Sequence, residues 1–172
     1  MVTAVATSPA VARVWAALAG VVDPEIPVLT VLDLGIVRDV ILAGDAVEVT
    51  ITPTYSGCPA THDIEEAIRR ALADAGFADA RIRTSLSPAW TTDWMSAEGR
   101  KKLEKFGIAP PGARSPDAPA PVRFVRSAPG VVPCPHCGSA DTERLAEFGS
   151  TACKALYRCR ACREPFDYFK PL

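Results

Sequence analysis

Cysteines are the residues of this chain with the most distinctive chemistry, and five of the six lie after residue 133. Four of them form two pairs, Cys134-Pro135-His136-Cys137-Gly138 and Cys159-Arg160-Ala161-Cys162, with 21 residues between the pairs. Two Cys-x-x-Cys knuckles at that separation present four thiolates from two tight turns, which is the donor set of a tetrahedral metal site. Gly138 lets the backbone close around the ion. The donor set does not choose its metal: structural zinc, a rubredoxin-like iron and a cluster all use four thiolates. His136, inside the first knuckle, reads as a solvent-facing side chain rather than a ligand. Cys153, in Ser150-Thr151-Ala152-Cys153-Lys154, exceeds what a four-cysteine site needs. It is either a small buried side chain or an extra exchange ligand whose thiolate Lys154 would favour.

The sixth cysteine stands alone. Cys58 lies in Thr52-Pro53-Thr54-Tyr55-Ser56-Gly57-Cys58-Pro59-Ala60, between a β-branched run and a helical pattern. Pro59 suits a first helical position, which puts Cys58 at or beside the N-cap, where unpaired N–H groups stabilise negative charge. Gly57 permits an unusual backbone angle and open access. Such a thiol is a nucleophile or a soft-metal ligand, or else an inert buried cysteine. His62 and Asp63 follow within one helical turn and are either site partners or first-turn surface residues.

The elements that must position these residues follow from periodicity. Val11, Val14, Trp15, Leu18 and Ala19 predict a helix over residues 9–20, with Ser8 as N-cap and Pro9 at its start. Asp23-Pro24-Glu25-Ile26-Pro27 excludes further helix and reads by itself as a solvated turn. Residues 36–42 and 47–52 predict a β-hairpin. A second helix over residues 59–75 carries the stripe Ile64, Ala67, Ile68, Ala71, Leu72 and Ala75, with Gly76 ending it. A third strand over residues 80–86 follows, parallel to the second through a right-handed crossover. Residues 96–105 predict a charged helix. The fold class is thus α+β with a C-terminal four-cysteine ribbon: a first domain over residues 1–108, a proline-punctuated extended linker over 109–130 and a metal domain over 131–172. Within the linker region only Val122 to Val125 could form a short strand. Residues 143–148 and 156–158 supply short strands to the ribbon. A piece of about 40 residues with few large apolar side chains draws much of its folding free energy from its metal.

Composition narrows the function classes. Nineteen Lys and Arg against twenty Asp and Glu leave a net charge of −1, which argues against a chain built to grip phosphate backbones. No basic stripe with interleaved aromatic residues is visible, so no nucleic-acid partner is expected. No apolar run reaches the length of about 18 that a membrane helix needs. No secretory signal is read at the start, so cysteine clustering points to cytoplasmic metal chemistry rather than disulfides. Gly-rich phosphate loops are absent. A covalent hydrolase or transferase using Cys58 is disfavoured, because His62 is the only histidine of the first domain and shares its helix.

Asp23-Pro24-Glu25-Ile26-Pro27, Asp33-Leu34-Gly35-Ile36-Val37 and the Ser56-Gly57-Cys58-Pro59 turn resemble the MIP18 family over about residues 9–106. The resemblance implies a small α+β domain linked to iron–sulfur cluster assembly, with Cys58 as the cluster or iron ligand. Asp23 and Glu25 would flank it as acidic loop residues, and Thr52 would line the same cleft. Essentially the whole chain, including Trp90-Thr91-Thr92-Asp93-Trp94-Met95 and the cysteine-rich tail, also resembles the D-subunit family of ring-1,2-phenylacetyl-CoA epoxidase systems. That likeness implies phenylacetate degradation, with the oxygenase and reductase components of the system as partners. The leading reading is a maturation factor without catalytic activity of its own, holding a transient iron–sulfur cluster or iron at Cys58, with zinc, or iron, at the knuckle cysteines Cys134, Cys137, Cys159 and Cys162. A structural or electron-transfer subunit of the oxygenase is the alternative. A homodimer pairing two Cys58 residues would also supply ligands.

Overall fold

The structure, a computed structural model, describes residues 9–43, 46–112 and 131–172. Two compact units are present: one runs to Trp90 and includes Trp94–Gly99, and the other comprises Thr91–Asp93 and Arg100–Leu172. Of the expected linker, residues 113–130 lie outside the described residues, and so does the short strand expected at Val122 to Val125.

In the first unit, helix α1 spans Pro9–Ala19, with the proline at the edge of the described residues; Ser8, expected as its N-cap, lies outside them. Its apolar face is narrower than the periodicity predicts, because Val14 and Leu18 are buried while Trp15 keeps 36% of its surface. Strands β1 (Val37–Ala43) and β2 (Ala46–Ile51) pair antiparallel. Helix α2 (Ala60–Asp74) then crosses over to β3 (Arg81–Thr84), which pairs parallel to β2 with Val49 opposite Ile82. The sheet order is β1-β2-β3.

Alternation explains the core. Val47, Val49 and Ile51 are each at most 2% exposed, and α2 packs Ala60, Ile64, Ile68 and Leu72 at four-residue spacing. Thr50, on the other face of β2, is also buried, so the sheet is not simply half wet. Gly76, at φ +89°, ends the helical segment.

One turn organises the rest of this unit. Asp33 Oδ2 accepts from the Thr30 amide (3.0 Å) and hydroxyl (2.9 Å), and Oδ1 accepts from Ser96 Oγ (3.1 Å). Ser96 Oγ in turn accepts from the Gly99 amide (2.8 Å), capping helix α3 (Ala97–Lys105). The Trp90 indole donates to the Leu34 carbonyl (2.9 Å), and the Arg38 guanidinium lies 3.4 Å from the centre of the Trp94 ring. Gly35, at φ +68°, sits under the Trp94 backbone so closely that a Cβ there would lie 2.3 Å from the Trp94 carbonyl oxygen.

The second unit is a four-stranded sheet in the order β4-β7-β6-β5, from β4 (Ile108–Ala109), β5 (Thr142–Ala146), β6 (Lys154–Cys159) and β7 (Pro165–Phe169). β4 is parallel to β7, and the other neighbours are antiparallel. Strands β4 and β7 were not expected from the sequence. Two residues carry no periodicity, and β7 opens on a proline, which as the first residue of a strand costs few ladder bonds. Val132, Ala155, Tyr157 and Phe166 pack around Cys134 and Cys159, with the Tyr157 and Phe166 rings 5.8 Å apart. Lys154, 4% exposed, is paired with Asp167 at 3.2 Å. Among the described residues no helix is long and apolar enough to cross a membrane.

Gly35→Ala is expected to destabilise the chain by at least about 2 kcal/mol in urea unfolding, since a left-handed non-glycine residue and a steric clash add. Gly57→Ala, whose Cβ would meet nothing within 4 Å, is expected to cost only about 1 kcal/mol.

Candidate metal centre and the Cys58 site

The ribbon brings Cys134, Cys137, Cys159 and Cys162 together with all four Sγ atoms within 4.8 Å of one another. Cys134 and Cys162 sulfurs are 3.7 Å apart, and those of Cys137 and Cys159 are 3.6 Å apart. A tetrahedral ion with metal–sulfur bonds of about 2.3 Å separates its ligands by about 3.8 Å, so the residues fit such an ion. His136 is exposed and outside the set, and Cys153 is buried, 3.0 Å from the Thr151 hydroxyl, and outside it as well.

The two knuckles are built alike. The Cys134 amide donates to the Ser139 carbonyl and the Cys159 amide to the Glu164 carbonyl, both at 3.0 Å. The Ser139 amide reaches the Cys137 sulfur, and the Glu164 amide the Cys162 sulfur. In each, the residue after the second cysteine is left-handed: Gly138 at φ +74° and Arg163 at φ +67°. That conformation turns the chain so that amides aim at sulfur rather than at water.

These donors sort the metal-free thiols. Amide donation from Cys162, together with the Cys137 thiol and against some desolvation, lowers Cys159 to about 7. Cys162 also receives an amide, from Glu164, but desolvation and the neighbouring thiols outweigh it and push it up to about 12. A metal needs thiolates, so it displaces the Cys162 proton at any ordinary pH and the Cys159 proton only below about 7.

The Cys58 site is of another kind. β2 ends at Ile51, the chain turns through residues 52–58, and α2 starts after Pro59, whose backbone is already helical. The Cys58 amide donates to the Tyr55 carbonyl (3.3 Å), and its carbonyl accepts from the Thr61 amide (3.2 Å). Cys58 is half-buried and lines a cavity with Asp23, Ile36, Ile51, Thr54 and Thr61. The space is ≈ 10 Å³, room for about one water.

Asp23 and Cys58 are therefore neighbours across one small cavity, although 34 residues lie between them in the chain. Asp23 Oδ1 accepts from the Glu25 and Ile26 amides, both at 2.8 Å, which holds the turn. Glu25 is half-buried and does not line the cavity. Thr52, 2% exposed, lines an adjoining cavity of ≈ 300 Å³ with Tyr55, Ser56, Leu86 and Trp90, and its amide donates to Ile36. His62 is exposed on the first turn of α2. Sequence reasoning missed Thr54 and Thr61; Thr61, three residues beyond Cys58, was the legible one, being on the same helical side.

The fold and the two cysteine arrangements define an iron–sulfur cluster assembly type of domain followed by a metal ribbon. Residues 11–82 match the family model of the iron–sulfur cluster assembly protein, and residues 118–170 match that of the PaaD zinc beta ribbon domain. A relative from Escherichia coli (strain K12), named as the D component of a 1,2-phenylacetyl-CoA epoxidase, is 51% identical over 94% of this chain and 93% of its own. The chain belongs to that D-component family. An Fe-S protein maturation auxiliary factor of Bacillus subtilis (strain 168) is 38% identical over 49% of this chain and 83% of its own. The solved structure of a domain of unknown function, DUF59, from Bacillus anthracis matches with a TM-score of 0.50 and 25% identity, over 54% of this chain and 89% of that one.

Zinc affinity of the chelator-stripped chain is expected to rise with pH. Its slope against pH should fall by about one proton as pH passes about 7, where Cys159 no longer has a proton to lose. Competition with a chromophoric chelator between pH 6 and 9 measures both.

Proposed function

We propose that this chain is an accessory maturation factor of a phenylacetyl-CoA epoxidase system, with Cys58 holding iron or an iron–sulfur cluster in passage to a client and the ribbon holding a resident zinc. The observation that carries the reading is the contrast between the two thiol sites. The ribbon offers four sulfurs within 4.8 Å of one another and can satisfy an ion completely. The first unit has a single cysteine, half-buried beside Asp23.

A single protein thiolate leaves most coordination positions of iron to other donors, and that incompleteness suits cargo rather than a resident cofactor. The cavity beside Cys58 takes about one water, so a cluster would sit at its open rim. There a second chain, a small thiol or another copy of this chain supplies the remaining ligands. The reductase component is the client favoured here, and Asp23 and Thr54 would orient the donors around the thiolate. Zinc is favoured at the ribbon because the matching model is a zinc ribbon.

Anaerobically purified protein, with Cys58→Ser alongside, tests this through zinc, iron and acid-labile sulfide per chain and through cluster occupancy of the co-expressed reductase. Expected are about one zinc in both forms, loss of iron and sulfide in the variant only, and a several-fold drop in reductase cluster content. Unchanged reductase occupancy would sink the reading. Equal iron and no zinc in both forms would instead make the ribbon a redox site and the chain an electron-transfer subunit.

A further inference from the structure

The ribbon carries a feature that neither metal binding nor cluster handling uses. Arg158, Arg160 and Arg163, all exposed, line one groove of ≈ 380 Å³ together with Cys159. Glu143 chelates two of the three: its Oε1 accepts from Arg158, and its Oε2 accepts from Arg160 Nε (3.2 Å) and Nη2 (2.9 Å). The carboxylate lies well below the usual range because of Arg160 first and Arg158 second, so it stays charged and holds the two guanidiniums side by side. Arg160 also approaches Asp141 at 3.6 Å. Arg163 has no ion pair among the described residues.

Arg163 is also where an arginine costs most. It stands at φ +67°, the position that Gly138 fills in the matching first knuckle. A left-handed non-glycine residue is strained relative to one at negative φ, and glycine would remove that strain. The knuckle needs no side chain there, as Gly138 demonstrates. What the arginine adds is a third guanidinium in the groove.

We propose that the Arg158–Arg160–Arg163 groove is a binding site for a carboxylate-bearing segment of a partner protein. Three guanidiniums against the carboxylates of Glu143 and Asp141 leave one positive charge in excess among these side chains, carried by Arg163, which has no ion pair among the described residues, and guanidinium and carboxylate match as paired forks. A nucleic-acid strand is disfavoured, because no aromatic side chain lines the groove for base stacking and the whole chain has a net charge of −1. The inference does not depend on the role of Cys58.

The test uses the full zinc-loaded chain and a fluorescein-labelled octaglutamate peptide, read by anisotropy at low and at physiological salt. Binding that weakens with salt is expected, about fivefold weaker in Arg163→Gly. Glycine suits the backbone angle, so this variant keeps the knuckle. Arg163→Lys should recover part of the loss, and Arg70→Gln, which removes a charge from α2, should change nothing. Absence of peptide binding overturns the proposal, as does equal binding by Arg163→Gly, or equal loss in Arg70→Gln. Lower zinc affinity in Arg163→Gly with unchanged peptide binding also overturns it, making the arginine a counter-charge for the thiolates. A thymidine octamer that binds as tightly with the same Arg163 dependence overturns it in favour of a phosphate site.

Discussion

Four sulfurs within 4.8 Å of one another can all be thiolates only if a cation lies among them. Without it the thiols titrate one at a time: amide donation from Cys162 draws Cys159 down to about 7, while desolvation and the neighbouring thiols, against the Glu164 amide, push Cys162 up to about 12. With a divalent ion, four thiolates still leave an excess of negative charge, and the backbone amides of both knuckles are turned to meet it. Everything else in the second unit follows from that demand. The left-handed residues after each knuckle aim the amides, β6 delivers Cys159 at its end, and a small cluster around Tyr157 and Phe166 closes behind Cys134 and Cys159. A core this small does not carry the unit unaided, so the metal is part of the fold rather than an addition to it.

The first unit solves the opposite problem. It needs no ion to fold: Val14, Leu18, Val47, Val49, Ile51, Ile68 and Leu72 make an apolar core, and Asp33 ties the turn before β1 to Ser96 at the head of α3. Cys58 is left outside that core on a short turn whose ends are fixed by β2 and α2. Its position is set by the frame, while its coordination is not. A thiol in such a place keeps its geometry whatever else it meets.

Much of this was legible in the sequence, for identifiable reasons. The two knuckles declare themselves because a tetrahedral thiolate site requires a spacing that chance seldom supplies. The hairpin, α2 and β3 were legible because β-branched alternation and a four-residue apolar repeat differ in period. Trp15 misled, since an aromatic at helical spacing reads as core and here keeps over a third of its surface. β4 and β7 were illegible for a different reason. Ile108–Ala109 is too short to have a period, and it becomes a strand only because β7 offers it a parallel edge. Asp23 beside Cys58 was legible from likeness alone, because no local pattern joins residues that meet only when β1, β2 and α2 are assembled.

The turn 52–58 separates two cavities with different characters, and this bears on how a thiol there could be used. On one side Asp23, Ile36, Ile51 and Ile64 leave room for about one water beside Cys58. On the other, Thr52, Tyr55, Ser56, Leu86 and Trp90 surround ≈ 300 Å³ with no charged residue among them. Pro53 and Thr54 line both. The small side is closed to anything larger than solvent, so a cluster-sized group must approach Cys58 from the rim, where Gly57 presents no Cβ and nothing lies within 4 Å of where one would be. The larger side can take a neutral peptide side chain and offers hydroxyls but no thiol, imidazole or carboxylate. On the cargo reading, ligation and recognition thus fall to opposite faces of one seven-residue turn, and a client that fills the larger cavity would bring its own ligands to the open rim.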